Sequence, residues 1–135
     1  MADTTEFELV SPERLVASEQ VAMVIVPGAE GDFGVLPMHS PMISTIRPGV
    51  ISIYTNDTTN VSSKIFVAGG FAEVVGDRCT VLAEEAVKVS DLDANAAKDR
   101  LSAAEGAMSS ASSDGEKNAA VRELAIANAM VAAAA

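Results

Sequence analysis

Up to Ser90 the apolar residues come in short bursts: FELV, QVAMVIV, GVISIYT, VSSKIFVA, FAEVV and CTVL. β-branched side chains dominate inside them, and Gly, Pro, Asn or Asp stands between most of them. Short β-rich segments separated by turn residues predict a run of strands folded as a sandwich or barrel. Val50-Ile51-Ser52-Ile53-Tyr54-Thr55 mixes alternation with apolar filling, the pattern of a strand with one buried face. Asn56-Asp57-Thr58-Thr59-Asn60 has the composition of a hairpin turn. Gly69-Gly70 interrupts the next strand pair, where a side chain would obstruct a bulge or a close backbone contact.

Beyond Ser90 the pattern inverts. Residues 91–135 hold 16 alanines and only three β-branched residues, Val121, Ile126 and Val131. Alanine has the highest helix propensity, so two helices are the economical expectation. Ser90 stands three residues ahead of Asp93, a capping-box spacing that predicts the first helix start, and Ser109 to Gly115 predicts the turn. Leu92, Ala97, Leu101, Ala104 and Met108 form a shallow apolar stripe along the first helix. The second helix is apolar almost all round with its polar residues on no common face, which predicts weak docking. The expected architecture is a mainly β N-terminal domain over residues 1–88 and a C-terminal α-helical hairpin over residues 91–135.

Composition narrows the function classes. With 135 residues, 49% of them apolar, the chain can bury a real core and is no candidate for disorder. The net charge of −10, with nine basic residues and no run of them, argues against nucleic-acid binding, which needs clustered Lys and Arg. A single cysteine allows no internal disulfide and suits a reducing compartment. MADTTEFELV lacks the basic and apolar regions of a secretory signal, and LAIANAMVAAAA falls short of the ~20 residues of a membrane span. No direct membrane insertion is expected.

Motifs for chemistry fail one by one. Gly28, Gly31 and Gly34 fit neither phosphate-loop spacing, and Glu30 and Asp32 would repel a phosphate. Asp91-Leu92-Asp93-Ala94-Asn95 imitates the start of a calcium loop, but Ala96 replaces the glycine and Ser102 the closing glutamate. These acids suit a helix N-terminus instead. His39 has no second histidine and no nucleophile near it in sequence. Cys79 alternates with polar neighbours, as an inward strand residue would, and Glu84-Glu85 reads as the polar end of that strand. No catalytic, metal or cofactor site is expected, and binding is the remaining task.

Longer patterns carry a family resemblance. Gly31-Asp32-Phe33-Gly34-Val35-Leu36-Pro37-Met38-His39-Ser40-Pro41 resembles the G-x-x-G-[IVL]-x-P-x-H-[AS]-P signature of the epsilon subunits of F-type ATP synthases, called delta in mitochondria. Pro48-Gly49 follows at the family distance. Ala68-Gly69-Gly70-Phe71-Ala72-Glu73-Val74 resembles the second landmark, G-G-[FI]-x-E-V. Thr80-Val81-Leu82-Ala83-Glu84 is similar to the usual last strand, and Phe7-Glu8-Leu9-Val10-Ser11-Pro12-Glu13 to the opening. The likeness covers essentially the whole chain, in order.

The resemblance implies a flattened ten-stranded β-sandwich followed by an antiparallel helical hairpin. It also implies a non-catalytic subunit of the rotating central stalk, bound to the gamma subunit and resting on the ring of c subunits. Such a subunit couples proton flow to ATP synthesis on other subunits, as a peripheral protein. Without a transit peptide, the cytoplasmic face of a bacterial inner membrane is the expected place. Carried over, Glu30, Asp32, Met38 and His39 are c-ring contacts, and Met42, Ile43, Ser44 and Thr45 are gamma contacts. Some relatives bind ATP through a pattern resembling [IL]-D-x-x-R-A. Leu92-Asp93-Ala94-Asn95-Ala96-Ala97 keeps Asp93 but has Ala96 in the arginine position, so no nucleotide cofactor is expected. The hairpin could reach the alpha and beta subunits. Lys117 and Arg122, offset by Glu116 and Glu123, give it a weak electrostatic drive to inhibit ATP hydrolysis. The residues alone leave two other classes open, a ligand-binding or chaperone-like β module with a helical tail and an enzyme pairing His39 with an acid.

Overall fold

The computed structural model describes residues 4–135. Ten strands come first: β1 (Thr5–Val10), β2 (Leu15–Val21), β3 (Met23–Gly28), β4 (Gly31–Val35), β5 (Met42–Ile46), β6 (Gly49–Tyr54), β7 (Ser63–Val67), β8 (Gly70–Val75), β9 (Arg78–Ala83) and β10 (Ala86–Lys88). They form one hydrogen-bonded path in the order β10-β7-β6-β3-β5-β8-β9-β1-β2, with β4 on β3, curled into a nearly closed sandwich. Pairing is antiparallel except for β1 and β9, which run parallel.

Alternation explains which face each strand buries. In β1, Thr5, Phe7 and Leu9 point inward while Glu6, Glu8 and Val10 point out. Cys79, Val81 and Ala83 do the same in β9, so Cys79 is the inward strand residue that its neighbours predict. The core holds Phe7, Leu9, Val24, Ile51, Ile53 and Val81, none more than 1% exposed. Each such side chain contributes about 1.5–3 kcal/mol by burial.

Two turns match the sequence pattern. Between β6 and β7, the Asp57 carboxylate accepts hydrogen bonds from the backbone N–H of Thr59 (2.9 Å) and Asn60 (2.7 Å) and from the Asn60 side chain (3.1 Å). These donors, the Asn60 backbone foremost, hold its pKa down at about 2. Gly69 and Gly70, with φ of 124° and 139°, lay the β7–β8 corner against the end of β9. A Cβ on Gly70 would overlap the Leu82 carbonyl oxygen. Ala68 N–H donates to Glu85 O (2.9 Å) and Glu84 N–H to Gly69 O (3.1 Å), tying the two corners together.

The helical start differs from the expected one. Ser90 lies in a 3₁₀ turn, Val89–Asp91, and Leu92 is extended, so the cap falls on Asp93. Its carboxylate accepts from Asn95 N–H (2.9 Å) and Ala96 N–H (3.4 Å) and opens α1 (Ala94–Ser110). A carboxylate directly ahead of the first turn both caps the free amides and meets the positive end of the helix dipole. The connection is also shorter than the predicted turn. Ser109 and Ser110 donate their hydroxyls back to Glu105 O (3.1 Å) and Gly106 O (3.0 Å), which keeps them in α1. Ser113 caps α2 (Asp114–Ala134) by accepting from Glu116 N–H (3.1 Å), so Asp114 and Gly115 are helical.

The hairpin packs on the sheet. Phe66 and Ala68 meet Ala97, Ile126 and Met130 in a second cluster, separate from the sandwich core. Despite its diffuse pattern, α2 buries Ala120, Ile126, Ala127 and Met130, because the alanines around them let the helix approach closely.

Gly31 and Gly70 share φ +139°, but a Cβ meets nothing within 4 Å at Gly31 and the Leu82 backbone at Gly70. Gly31→Ala is therefore expected to cost about 1–2 kcal/mol from backbone strain, and Gly70→Ala about 4 kcal/mol or more, read from urea unfolding midpoints. Equal losses would show that the corner contact is not needed. Burial also pushes the Cys79 thiol from 9.0 up to about 11. Folding opposes its ionisation, so this contribution is intact below pH 9.0 and shrinks as pH rises towards about 11. Thiol labelling at pH 8 is expected only after unfolding, and the urea midpoint is expected to fall between pH 9 and 11, less so in Cys79→Ala.

Candidate protein-interaction site

Strand register assembles an apolar row that no single segment contains. Thr45 pairs with Phe71, Phe71 with Leu82, Leu82 with Val10, and Val10 with Leu15. The row crosses the outer face of the sheet β5-β8-β9-β1-β2. Ile43 lies on the same face of β5 as Thr45. Ile43 is 73% exposed, Phe71 and Leu15 55% and Leu82 54%. Ile43, Phe71 and Leu82 border a shallow depression of about 190 Å³ floored by Ala72, with Glu73 and Thr80 beside it. Contiguous large apolar side chains in water mark a surface made to be covered.

The four expected gamma contacts divide by alternation. Ile43 and Thr45 point outward, while Met42 packs on the core and Ser44 is half-buried, its hydroxyl donating to Thr45 O (2.9 Å). Phe71, Leu82, Val10 and Leu15 were missed from sequence. The available signal was an apolar residue in the wrong phase: Phe71 beside inward Ala72, and Leu82 between inward Val81 and Ala83.

The four expected c-ring contacts also divide. Glu30 sits in the β3–β4 turn and Asp32 in β4, and both line an open cleft of about 440 Å³ with Met42, Ile43, Ser44 and Thr45. Ala29 N–H donates to Thr45 O (2.9 Å), fixing the turn to β5. Arg47 braces this edge, donating to Gly28 O and to Asp32 Oδ1, both at 2.5 Å. The Arg47 and Asp32 side chains are 44% and 60% exposed, so the pair contributes about 1 kcal/mol at most and serves mainly to hold shape. Among the described residues Glu30 has no such cation, and it stays exposed.

Met38 and His39 lie beyond the far end of β4. Met38 has φ 67°, a left-handed conformation, and its N–H donates to Asp77 Oδ1 (3.2 Å) in the β8–β9 turn. His39 N–H donates to Leu36 O (3.2 Å), and its Nδ1 donates to Ser40 O (2.6 Å). The structure therefore joins Glu30 and Asp32 to β5 and separates Met38 and His39 from them by the length of a strand. Among the described residues, no group of three His, Cys, Asp or Glu side chains could hold a metal ion.

On the other side of the sheet, Asp93 is engaged as a helix cap and Ala96 is exposed. One turn on, Arg100 donates Nε to Glu123 Oε1 (2.5 Å), Nη1 to Glu85 Oε2 (2.8 Å), and Nη2 to Glu85 Oε1 (3.1 Å) and Glu123 Oε2 (3.3 Å). Hydrogen bonds donated to Glu123 and then to Glu85 stabilise the charged guanidinium and raise its pKa.

Comparisons with known proteins follow the same outline. Residues 4–89 match the family model described as ATP synthase, Delta/Epsilon chain, beta-sandwich domain. The ATP synthase epsilon chain of Rhodospirillum rubrum is 56% identical over 133 residues, covering 98% of each chain. That of Paramagnetospirillum magneticum is 56% identical over 135 residues, covering all of both. Among solved structures, a chain of the Euglena gracilis mitochondrial ATP synthase (OSCP/F1/c-ring) superposes with a TM-score of 0.82 at 21% identity, covering 97% of this chain and 81% of that one. A chain of the Tetrahymena thermophila mitochondrial ATP synthase central stalk and c-ring superposes with a TM-score of 0.72 at 15% identity, covering 97% and 96%. The two structural likenesses establish the fold, and the sandwich match together with full-length identity of 56% establishes kinship: the chain belongs to the ATP synthase delta/epsilon chain family.

Proposed function

We propose that this chain is a non-catalytic rotor subunit that couples a c ring to a gamma shaft at the cytoplasmic face of a bacterial inner membrane. The exposed apolar row carries this proposal, because it is a rigid sheet surface that no element among the described residues covers. The gamma shaft covers Ile43, Thr45, Phe71, Leu82, Val10 and Leu15. Burying about 300 Å² of such surface at about 25 cal/mol per Å² gives on the order of 7 kcal/mol before the costs of association. The c ring meets the adjoining edge at Glu30 and Asp32. Met38 and His39, at the opposite end of β4, extend that contact to the β4–β5 loop. Adjacency of an apolar face and a polar edge suits a subunit lodged where a shaft meets a ring, and the Arg47 brace keeps that edge from yielding under load. Among the described residues, no helix is long and apolar enough to cross a membrane, which suits a peripheral attachment.

The hairpin is a poor brake and a poor nucleotide site. Ala96 supplies no guanidinium, and Arg100 has four donors already engaged by carboxylates, leaving little for a phosphate. Lys117 and Arg122 are outnumbered by Asp114, Glu116 and Glu123 on the same helix.

Phe71→Asp combined with Leu82→Asp is expected to leave the sandwich folded and to weaken binding of purified gamma by about 100-fold, or some 3 kcal/mol, in titration calorimetry. Unchanged affinity would remove the apolar row as the contact. The isolated chain is expected to show no amide shifts in residues 91–135 at millimolar ATP. Deleting those residues is expected to change ATP hydrolysis by the assembled complex by no more than about twofold, as the weak surface electrostatics of the hairpin require. A several-fold acceleration would make the hairpin an effective brake.

A further inference from the structure

We propose that Arg100 is an electrostatic pin: it holds the helical hairpin on the sandwich, and the two units separate as folded pieces when it is lost. The proposal rests on contacts within this chain and does not depend on the stalk assignment. The pin joins three elements, Glu85 from the β9–β10 corner, Arg100 from α1 and Glu123 from α2, through four hydrogen bonds of 2.5 to 3.3 Å. Among the described residues, no other side-chain hydrogen bond or ion pair crosses from sheet to hairpin.

Everything else across that boundary is apolar: Phe66 and Ala68 packed on Ala97, Ile126 and Met130. Among the described residues, Phe66 and Ala68 are the only sandwich residues buried in the cluster shared with the hairpin, and the sandwich core contains no hairpin residue. The single covalent link is the 3₁₀ turn Val89–Asp91 and the extended Leu92. Either unit can therefore part from the other without opening the sandwich core.

Charge makes the pin decisive. One cation sits between two carboxylates, and all three side chains are only partly exposed, Arg100 at 27% and each glutamate at 40%. Removing the arginine does more than delete an attraction, because Glu85 and Glu123 are left facing each other.

Hydrogen exchange read by mass spectrometry on the full chain tests this with three proteins: the native sequence, Arg100→Met, and Arg100→Met with Glu85→Gln and Glu123→Gln. Methionine keeps an unbranched apolar stem and removes only the charged head. Arg100→Met is expected to speed exchange across α1 and α2 by about tenfold or more while the strands stay protected. The triple variant, with its repulsion removed, is expected to regain most of the helical protection. Unchanged exchange in Arg100→Met overturns the proposal, as does a strand loss that parallels the helices. A triple variant as exposed as the single one overturns the electrostatic origin of the pin.

Discussion

The architecture depends on one backbone contact, the Leu82 carbonyl oxygen lying where residue 70 would carry a Cβ. Only glycine tolerates that approach, and its left-handed φ turns the chain from β7 into β8 at the same point. Several features radiate from it. Phe71 follows Gly70 and pairs with Leu82, so the contact sets the phase that puts both side chains in water. Glu84 and Glu85 follow on the other strand, where Gly69 and Ala68 hold them. Exposed apolar row and hairpin seat thus share a single hinge of close-packed backbone.

Rigidity is distributed unequally between the two units. The sandwich has a continuous core of branched side chains, a corner locked by glycines and an edge braced by Arg47. The hairpin has mostly alanine to bury, and alanine contributes little transfer energy while permitting close approach. A stiff β unit that can bear force and a lightly attached α unit follow from those two compositions. The delta/epsilon family model covers the stiff unit, residues 4–89, and stops where the helices begin.

Much of the fold was legible in the chain. The change from β-branched bursts to alanine marks the division between sheet and helices, and Asp57, Gly69-Gly70 and Cys79 occupy the roles their local sequence predicts. Local signals failed where two groups competed for one task. Asp93 took the cap from the Ser90 spacing because a carboxylate adjacent to the first turn outcompetes a hydroxyl one turn earlier. Sites were less legible because they are cross-strand objects. Glu30 and His39 are close in sequence, yet an extended strand places them at opposite ends, while Val10, Leu82 and Phe71 are distant in sequence and adjacent in the sheet. Arg100 was invisible for the same reason, since nothing near it in sequence identifies Glu85 or Glu123 as its partners.

The parallel seam between β1 and β9 has a consequence for how the molecule comes into being. Glu6 lies beside Arg78, 72 residues further along, and their side chains bond across the seam. β1 therefore has no neighbour on that side until β9 is synthesised. Loop closure over such a separation is slow, so the β1–β2 hairpin waits apart while the strands between are made. Sealing comes late in translation, just before the helices emerge to settle against a finished wall.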